Sequence, residues 1–184
     1  MRVTGGIVKG QQLRVPKNCR IRPTTDMVRE AIFAILGHIV PEWSRVLDLY
    51  AGSGALGIEA LSRNAQWTDF VERDVQCCAI IKQNLGKTGL TEKAHVYCCP
   101  VAKALTFLSN EYTVIFSDPP YSDPSLHSLV LQLANSKSVG EGSFVVIFHT
   151  SHFPLDSVYG RLSLIKERKY GGTTISIYQK EIIS

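Results

Sequence analysis

No apolar run in this sequence is long enough to cross a membrane. The longest, such as Phe144-Val145-Val146-Ile147-Phe148, is the length of a strand, far short of the ~18–20 residues a span requires. The N-terminus, Met1-Arg2-Val3-Thr4-Gly5-Gly6, has no apolar core of the kind a secretory signal carries, so none is expected. No C-x-x-C occurs, and the five cysteines are Cys19 and the adjacent pairs Cys77-Cys78 and Cys98-Cys99. An odd count in that arrangement argues against a disulfide framework and against a zinc site. Reduced thiols in a cytoplasm, used as small buried groups, are the expected reading. Internal repeats, low-complexity tracts and long linkers are also missing.

What remains is an ordinary globular composition, 45% hydrophobic and 20% charged over 184 residues, enough for one domain with a small appended element. The net charge of +4 is unevenly spread. Residues 1–30 carry +5 from Arg2, Lys9, Arg14, Lys17, Arg20, Arg22 and Arg29 against Asp26 and Glu30, and the rest sums to −1. A basic arm on a neutral body suits a polyanion, but charge alone serves a solvated face equally well.

Residues 3–15 alternate apolar and polar and suggest a small β-hairpin. Thr25 is a candidate N-cap and Asp26 a favoured first-turn residue for an amphipathic helix over 26–38. From residue 45 strands and helices alternate: strands over 46–50, 67–72, 94–99, 113–117 and 142–149, helices over 54–63, 74–87, 102–109 and 124–136. Such alternation implies parallel strands covered on both faces. Two β-type runs, 161–168 and 173–180, flank Tyr170-Gly171-Gly172 and close the sheet with an antiparallel hairpin. The expected architecture is α/β, doubly wound, with a basic extension over 1–40 and the main domain over 41–184.

Two constellations carry chemistry. Asp48-Leu49-Tyr50-Ala51-Gly52-Ser53-Gly54 joins the first strand to the next helix, where open α/β sheets collect ligands. With Gly57 it also fits G-x-G-x-x-G, so a nicotinamide oxidoreductase is one rival. Asp48, however, would repel a pyrophosphate, whereas a sulfonium with an amino group suits a carboxylate. Glu72, 20 residues after Gly52, is placed to accept from ribose hydroxyls. The second constellation is Ser117-Asp118-Pro119-Pro120-Tyr121. Its prolines remove two N–H donors and leave carbonyls free to accept. Asp118 and the Pro119 carbonyl can hold the amino group of a base, and Tyr121 can stack on the ring, worth roughly 1–3 kcal/mol. A non-enzymatic RNA-binding module would explain only the basic arm. Ser53 and Ser117 lack His/Asp partners for hydrolysis, and His38, His95, His127, His149 and His152 have no ligand spacing, so no metal is expected.

Asp-Pro-Pro-Tyr after the fourth strand resembles the motif of amino-methyltransferases acting on adenine N6, cytosine N4 or guanine N2. Together with Arg22-Pro-Thr-Thr-Asp-Met-Val-Arg-Glu30, Asp48–Gly54, Glu59-Ala60-Leu61-Ser62-Arg63 and Tyr170-Gly171-Gly172, it resembles the D-type 16S ribosomal RNA guanine-N2 methyltransferase family. The resemblance runs from about residue 2 to residue 180. It implies a class I, Rossmann-like, seven-stranded sheet of order 3-2-1-4-5-7-6, S-adenosylmethionine as cofactor with S-adenosylhomocysteine as product, and methylation of guanine 966. The alternative is an N6-adenine methyltransferase on DNA or RNA. By the same resemblance, Asp48, Ala51, Gly52, Ser53 and Gly54 contact the methionine portion, Glu72 the ribose, and Arg73 and Asp74 flank the adenine. Asp118, Pro119, Pro120 and Tyr121 hold the guanine, and Arg22, Thr24 and Arg29 line the RNA side. Where many relatives have Asp or Asn after the third strand, this chain has Cys98-Cys99-Pro100-Val101, and a backbone group of Val101 is expected to replace that contact. The implied partner is 16S rRNA, free or in a partly assembled small subunit, with a cytoplasmic, monomeric enzyme and no membrane.

Overall fold

A computed structural model describes residues 1–16, 24–120 and 125–183. Helix α1 (Asp26–Ile39) starts where Thr25 accepts a hydrogen bond from the Val28 N–H, with Asp26 in its first turn. Its buried stripe is Val28, Arg29, Ile32, Phe33 and Leu36, the spacing of a helix that lays one face on a core. The alternation then follows as β1 (Arg45–Leu49), α2 (Ala55–Ser62), β2 (Trp67–Glu72), α3 (Val75–Thr88), β3 (Ala94–Cys98), α4 (Val101–Phe107), β4 (Tyr112–Ser117), α5 (Leu126–Ala134) and β5 (Val139–Thr150). It ends in β6 (Val158–Tyr159), β7 (Leu162–Tyr170) and β8 (Thr173–Lys180).

The sheet order is β3-β2-β1-β4-β5-β8-β7-β6. Strands β1 to β5 pair in parallel, and β8 and β7 close the sheet antiparallel. This is the expected 3-2-1-4-5-7-6 order with one strand added at the edge. The addition is β6, whose two residues pair with Leu162 and Ser163. Tyr159 is buried there and meets the Tyr178 ring edge-on at 5.9 Å. Because successive strand residues face opposite ways, the sheet divides the core in two. Val46, Phe70, Val114, Phe116 and Val146 pack under α1, α2 and α3. Leu47, Leu49, Val71, Ile115 and Ile147 pack under α4 and α5.

The expected N-terminal hairpin is short. Residues 1–13 fold back antiparallel through the Arg2–Gln12 bridge, with the Val3 N–H donating to the Gln11 carbonyl at 2.9 Å, the Gly10 N–H to the Val3 carbonyl at 2.8 Å and the Leu13 N–H to the Met1 carbonyl at 3.0 Å, without a regular strand. Its turn is held by α2. The Ile7 N–H donates to the Ser62 carbonyl at 2.8 Å, the Ser62 hydroxyl donates to the Gly5 carbonyl at 2.6 Å, and the Val8 N–H donates to the Ser62 hydroxyl at 3.1 Å. Gly6, at φ 81°, lies so close that a Cβ there would stand 1.8 Å from the Ser62 carbonyl oxygen, so only glycine fits.

Candidate active site

The sheet order reverses between β1 and β4, and the two constellations meet there. Leu49 pairs with Ser117, so Asp48 and Asp118 leave neighbouring strands at the same end. Glu72 closes β2 beside them. The result is a cleft of about 450 Å³ including its open mouth, lined by Met1, Thr24, Tyr50, Gly52 and the carboxylates of Asp48 and Asp118, among others.

Asp48 and Glu72 are held by backbone amides, and Asp118 by a side chain. Asp48, 1% exposed, accepts from the Gly57 N–H at 2.9 Å. Gly57 serves packing, since a Cβ there would stand 2.3 Å from the Phe70 ring; it brings α2 down onto β2 so that its amide can reach Asp48. Glu72 accepts from the Gly52 N–H through Oε2 and from the Asp74 N–H through Oε1, both at 2.9 Å. It thereby ties the glycine turn to the start of α3. Asp118 accepts from the Thr24 hydroxyl at 3.0 Å.

Burial dominates the electrostatics. It raises the Asp48 carboxyl well above the usual range, the Gly57 hydrogen bond opposes it, and the charges of Asp118 and Glu72 add to it. Burial pushes Asp118 up to about 7, against the pull of the Thr24 hydroxyl. Among the described residues neither has a Lys or Arg ion-pair partner. A cationic ligand in the cleft would stabilise both ionised forms, whereas a pyrophosphate would be repelled. The backbone leaves room for it: a Cβ on Gly52 would meet nothing nearer than the Tyr50 carbonyl oxygen at 4.0 Å. The donor set and the space both fit a sulfonium carrying an ammonium group.

The structure brings most of the expected residues together. Asp48, Ala51, Gly52, Ser53, Thr24 and Asp118 line the cleft. Gly54, at φ 78°, caps α2 beneath it. Pro119 is buried and Pro120 exposed. Arg73 and Asp74 are exposed at the β2–α3 junction, and Asp74 also caps α3 by accepting from the Gln76 and Cys77 N–H groups. Val101 opens α4 and is 6% exposed. Arg22 and Tyr121 lie outside the described residues.

Arg29 is corrected. Its side chain is fully buried. The guanidinium donates to the Thr24 carbonyl at 3.0 Å, to Asp26 at 2.8 Å and to the Arg2 carbonyl. Its Nε lies 3.7 Å from buried Glu59. A guanidinium wrapped in carbonyls and carboxylates inside the protein presents no face to a phosphate, so Arg29 organises the arm.

Three features of the cleft and of the arm beside it were not foreseen. Tyr50 has φ 58°, an uncommon conformation for a bulky residue. Glu59 accepts from the Thr4 N–H, the Thr4 hydroxyl and Arg63 Nε. Asn84, fully buried, donates to the carbonyls of Ser53 and Arg14 and accepts from the Arg14 N–H. An Asn among Ile81, Leu85 and Thr88 on the buried face of α3 was the available signal.

Comparison with known proteins agrees with this geometry. Residues 1–179 match the family described as Conserved hypothetical protein 95. The protein YlbH of Bacillus subtilis (strain 168) is 38% identical over 183 residues, 98% of this chain and 99% of its own. Ribosomal RNA small subunit methyltransferase D of Escherichia coli (strain K12) is 32% identical over 184 residues, 98% of this chain and 90% of its own. The solved structure of yhhF from Escherichia coli superposes with a TM-score of 0.88 at 28% identity, covering 100% of this chain and 99% of that one.

Proposed function

This chain belongs to the Conserved hypothetical protein 95 family and is a homologue of ribosomal RNA small subunit methyltransferase D, and on that basis we propose that it transfers a methyl group from S-adenosylmethionine to the exocyclic N2 amine of a guanine, guanine 966, in 16S ribosomal RNA. Its fold is the Rossmann-like fold of class I methyltransferases. The observation that carries the reading is the convergence of three buried carboxylates, Asp48, Glu72 and Asp118, around the glycine turn at the switch in strand order.

The cofactor supplies an electrophilic methyl group on a positively charged sulfur. Asp48 and the Ala51–Gly54 turn face its methionine portion, and Glu72, oriented by the Gly52 and Asp74 amides, accepts from its ribose. Arg73, Asp74 and the backbone of Val101 flank the adenine. On the other side of the cleft, Asp118 and the Pro119 carbonyl accept from the guanine amine and turn its lone pair out of the ring toward the methyl group. Pro120 and Tyr121 complete the guanine side. Catalysis is then mostly positioning, and the amine loses its proton to Asp118 or to water.

Residues 1–40 form the RNA-side extension of a methyltransferase domain over 41–184. Thr24 closes that side of the cleft, and the basic residues of the arm, Arg22 among them, engage phosphate. The enzyme works as a monomer in the cytoplasm, on 16S rRNA that is free or in a partly assembled small subunit. No helix among the described residues is long and apolar enough to cross a membrane.

Labelled S-adenosylmethionine incubated with unmodified 16S rRNA, and in parallel with small-subunit particles, tests this through nucleoside mass analysis. N2-methylguanine is the expected product. N6-methyladenine would transfer the assignment to the adenine enzymes, and no incorporation into either substrate would remove it.

A further inference from the structure

Cys78 and Cys98 bring their thiols together beside the cleft. Cys98 is exposed at the end of β3, and Cys78 is buried in the first turn of α3. Their Sγ atoms are 2.8 Å apart. A disulfide bond is about 2.05 Å long, so the pair needs to close by less than about 1 Å. None of the described cysteines is in a disulfide.

The fold sets this meeting. Glu72 and Cys98 are register partners on β2 and β3. Two residues after Glu72, Asp74 caps α3, whose first turn folds back over the strand end. The Cys78 thiol donates to the Glu72 carbonyl at 3.3 Å. The dithiol is therefore built into the short stretch, Glu72 to Cys78, that also orients the Glu72 carboxylate and the Asp74 amide.

We propose that Cys78 and Cys98 are a redox-active dithiol that peroxide oxidises to an intramolecular disulfide, and that this disulfide weakens cofactor binding at the neighbouring Glu72. The first half stands on the two thiols; the second rests on the cofactor site assigned above.

The chemistry divides the roles by exposure. The thiolate of exposed Cys98 attacks one peroxide oxygen, the O–O bond breaks, and Cys98 sulfenic acid forms with release of hydroxide. The Cys78 sulfur then attacks the Cys98 sulfur. The S–O bond breaks, and the departing hydroxide takes the Cys78 proton as water. In total two thiols are oxidised and one hydrogen peroxide is reduced to two waters. Burial, reinforced by the contact with Cys98, pushes the Cys78 thiol up to about 12. Cys78 is thus a poor first attacker, and proximity is what lets it resolve the sulfenic acid. The bond consumes the proton that the Glu72 carbonyl accepts and draws the first turn of α3 toward β3.

The test treats the reduced full-length protein with hydrogen peroxide, alkylates the remaining thiols and maps peptides by mass. A Cys78–Cys98 linked peptide is expected, missing in Cys78→Ser and Cys98→Ser. Titration calorimetry with S-adenosylhomocysteine should show affinity about tenfold lower in the linked protein, within the ~5–150-fold usual for coupled sites, and restored by dithiothreitol. Over-oxidation of Cys98 with no linked peptide overturns the dithiol. Unchanged affinity in the linked protein overturns its effect on the cofactor. If the reduced protein binds no S-adenosylhomocysteine, the cofactor site fails, and the linked peptide, read without cofactor, still decides the dithiol.

Discussion

The Thr24 hydroxyl donates a 3.0 Å hydrogen bond to Asp118, joining residues 94 apart in sequence. The same Thr24 gives its carbonyl to the buried guanidinium of Arg29. The arm therefore reaches the Asp-Pro-Pro-Tyr segment through one side chain, and that side chain tunes the carboxylate.

The pH dependence follows. Burial holds Asp118 near 7 and the Thr24 bond lowers it, while Asp48, which also lines the cleft, is itself raised by the charges of Asp118 and Glu72. The amine-accepting form is the ionised one, so kcat/KM should rise with pH through about 7. Thr24→Val should move that limb to higher pH, and Thr24→Ser should leave it in place. A limb that stays put in the Val variant would separate Thr24 from the reaction. The linked stability runs the other way: the folded value lies above the ordinary 3.8, so the stability that protonated Asp118 contributes is complete below 3.8 and is lost as pH rises through about 7.

Asp118→Ala should lower single-turnover methyl transfer by about 10²–10⁴-fold, the range for a positioned proton acceptor, with RNA and cofactor affinities little changed. Asp118→Asn should retain more activity, because its amide oxygen still accepts. Parent-like transfer by the Ala variant would place the active site elsewhere.

Glu72→Ala should weaken S-adenosylhomocysteine by about 1.5–3 kcal/mol, the worth of hydrogen bonds to a charged group, or ~10–150-fold. Glu72→Gln should fall between, since one oxygen can still accept from the Gly52 or the Asp74 amide. Calorimetry on folded variants measures it, and an unchanged affinity would reject the ribose role.

Arg29→Met should behave as a fold variant. Removing the guanidinium takes its hydrogen bonds from the Thr24 and Arg2 carbonyls and Asp26 and leaves Glu59 with Arg63 as its remaining cation. The loss is at most roughly 3–5 kcal/mol, the upper range for deleting one partner of a buried ion pair. Urea denaturation should show it, while the salt dependence of RNA binding keeps its slope. Neutralising Arg20 and Arg22 should instead flatten that slope by ~0.7–0.9 log units for each lost phosphate contact. Reversed results would return Arg29 to the RNA surface.

The strand–helix alternation and both constellations were legible because parallel strands buried on two faces leave apolar runs, and ligand turns leave glycines between them. Strand β2 lies where it was expected, over Trp67–Glu72. Three features were not. A buried arginine looks like an exposed one in sequence, and Arg29 is recognisable only through Glu59, 30 residues away on α2. Alternation over residues 3–15 announces the short hairpin but not that its turn rests on α2 through the Ser62 contacts. Strand β6 is two residues long, too short for any period to register.

The anchoring of the arm also sets an order of assembly during synthesis. Thr4 waits for Glu59, 55 residues later, and Arg14 for Asn84, 70 residues later. At ~5–20 residues per second, the second wait is about 3.5–14 s, during which the basic segment leaves the ribosome with no place to dock. Only when β4 has been made can Thr24 find Asp118. The arm therefore settles only after α2, α3 and β4, which follow it in the chain, and the reaction centre closes when it does.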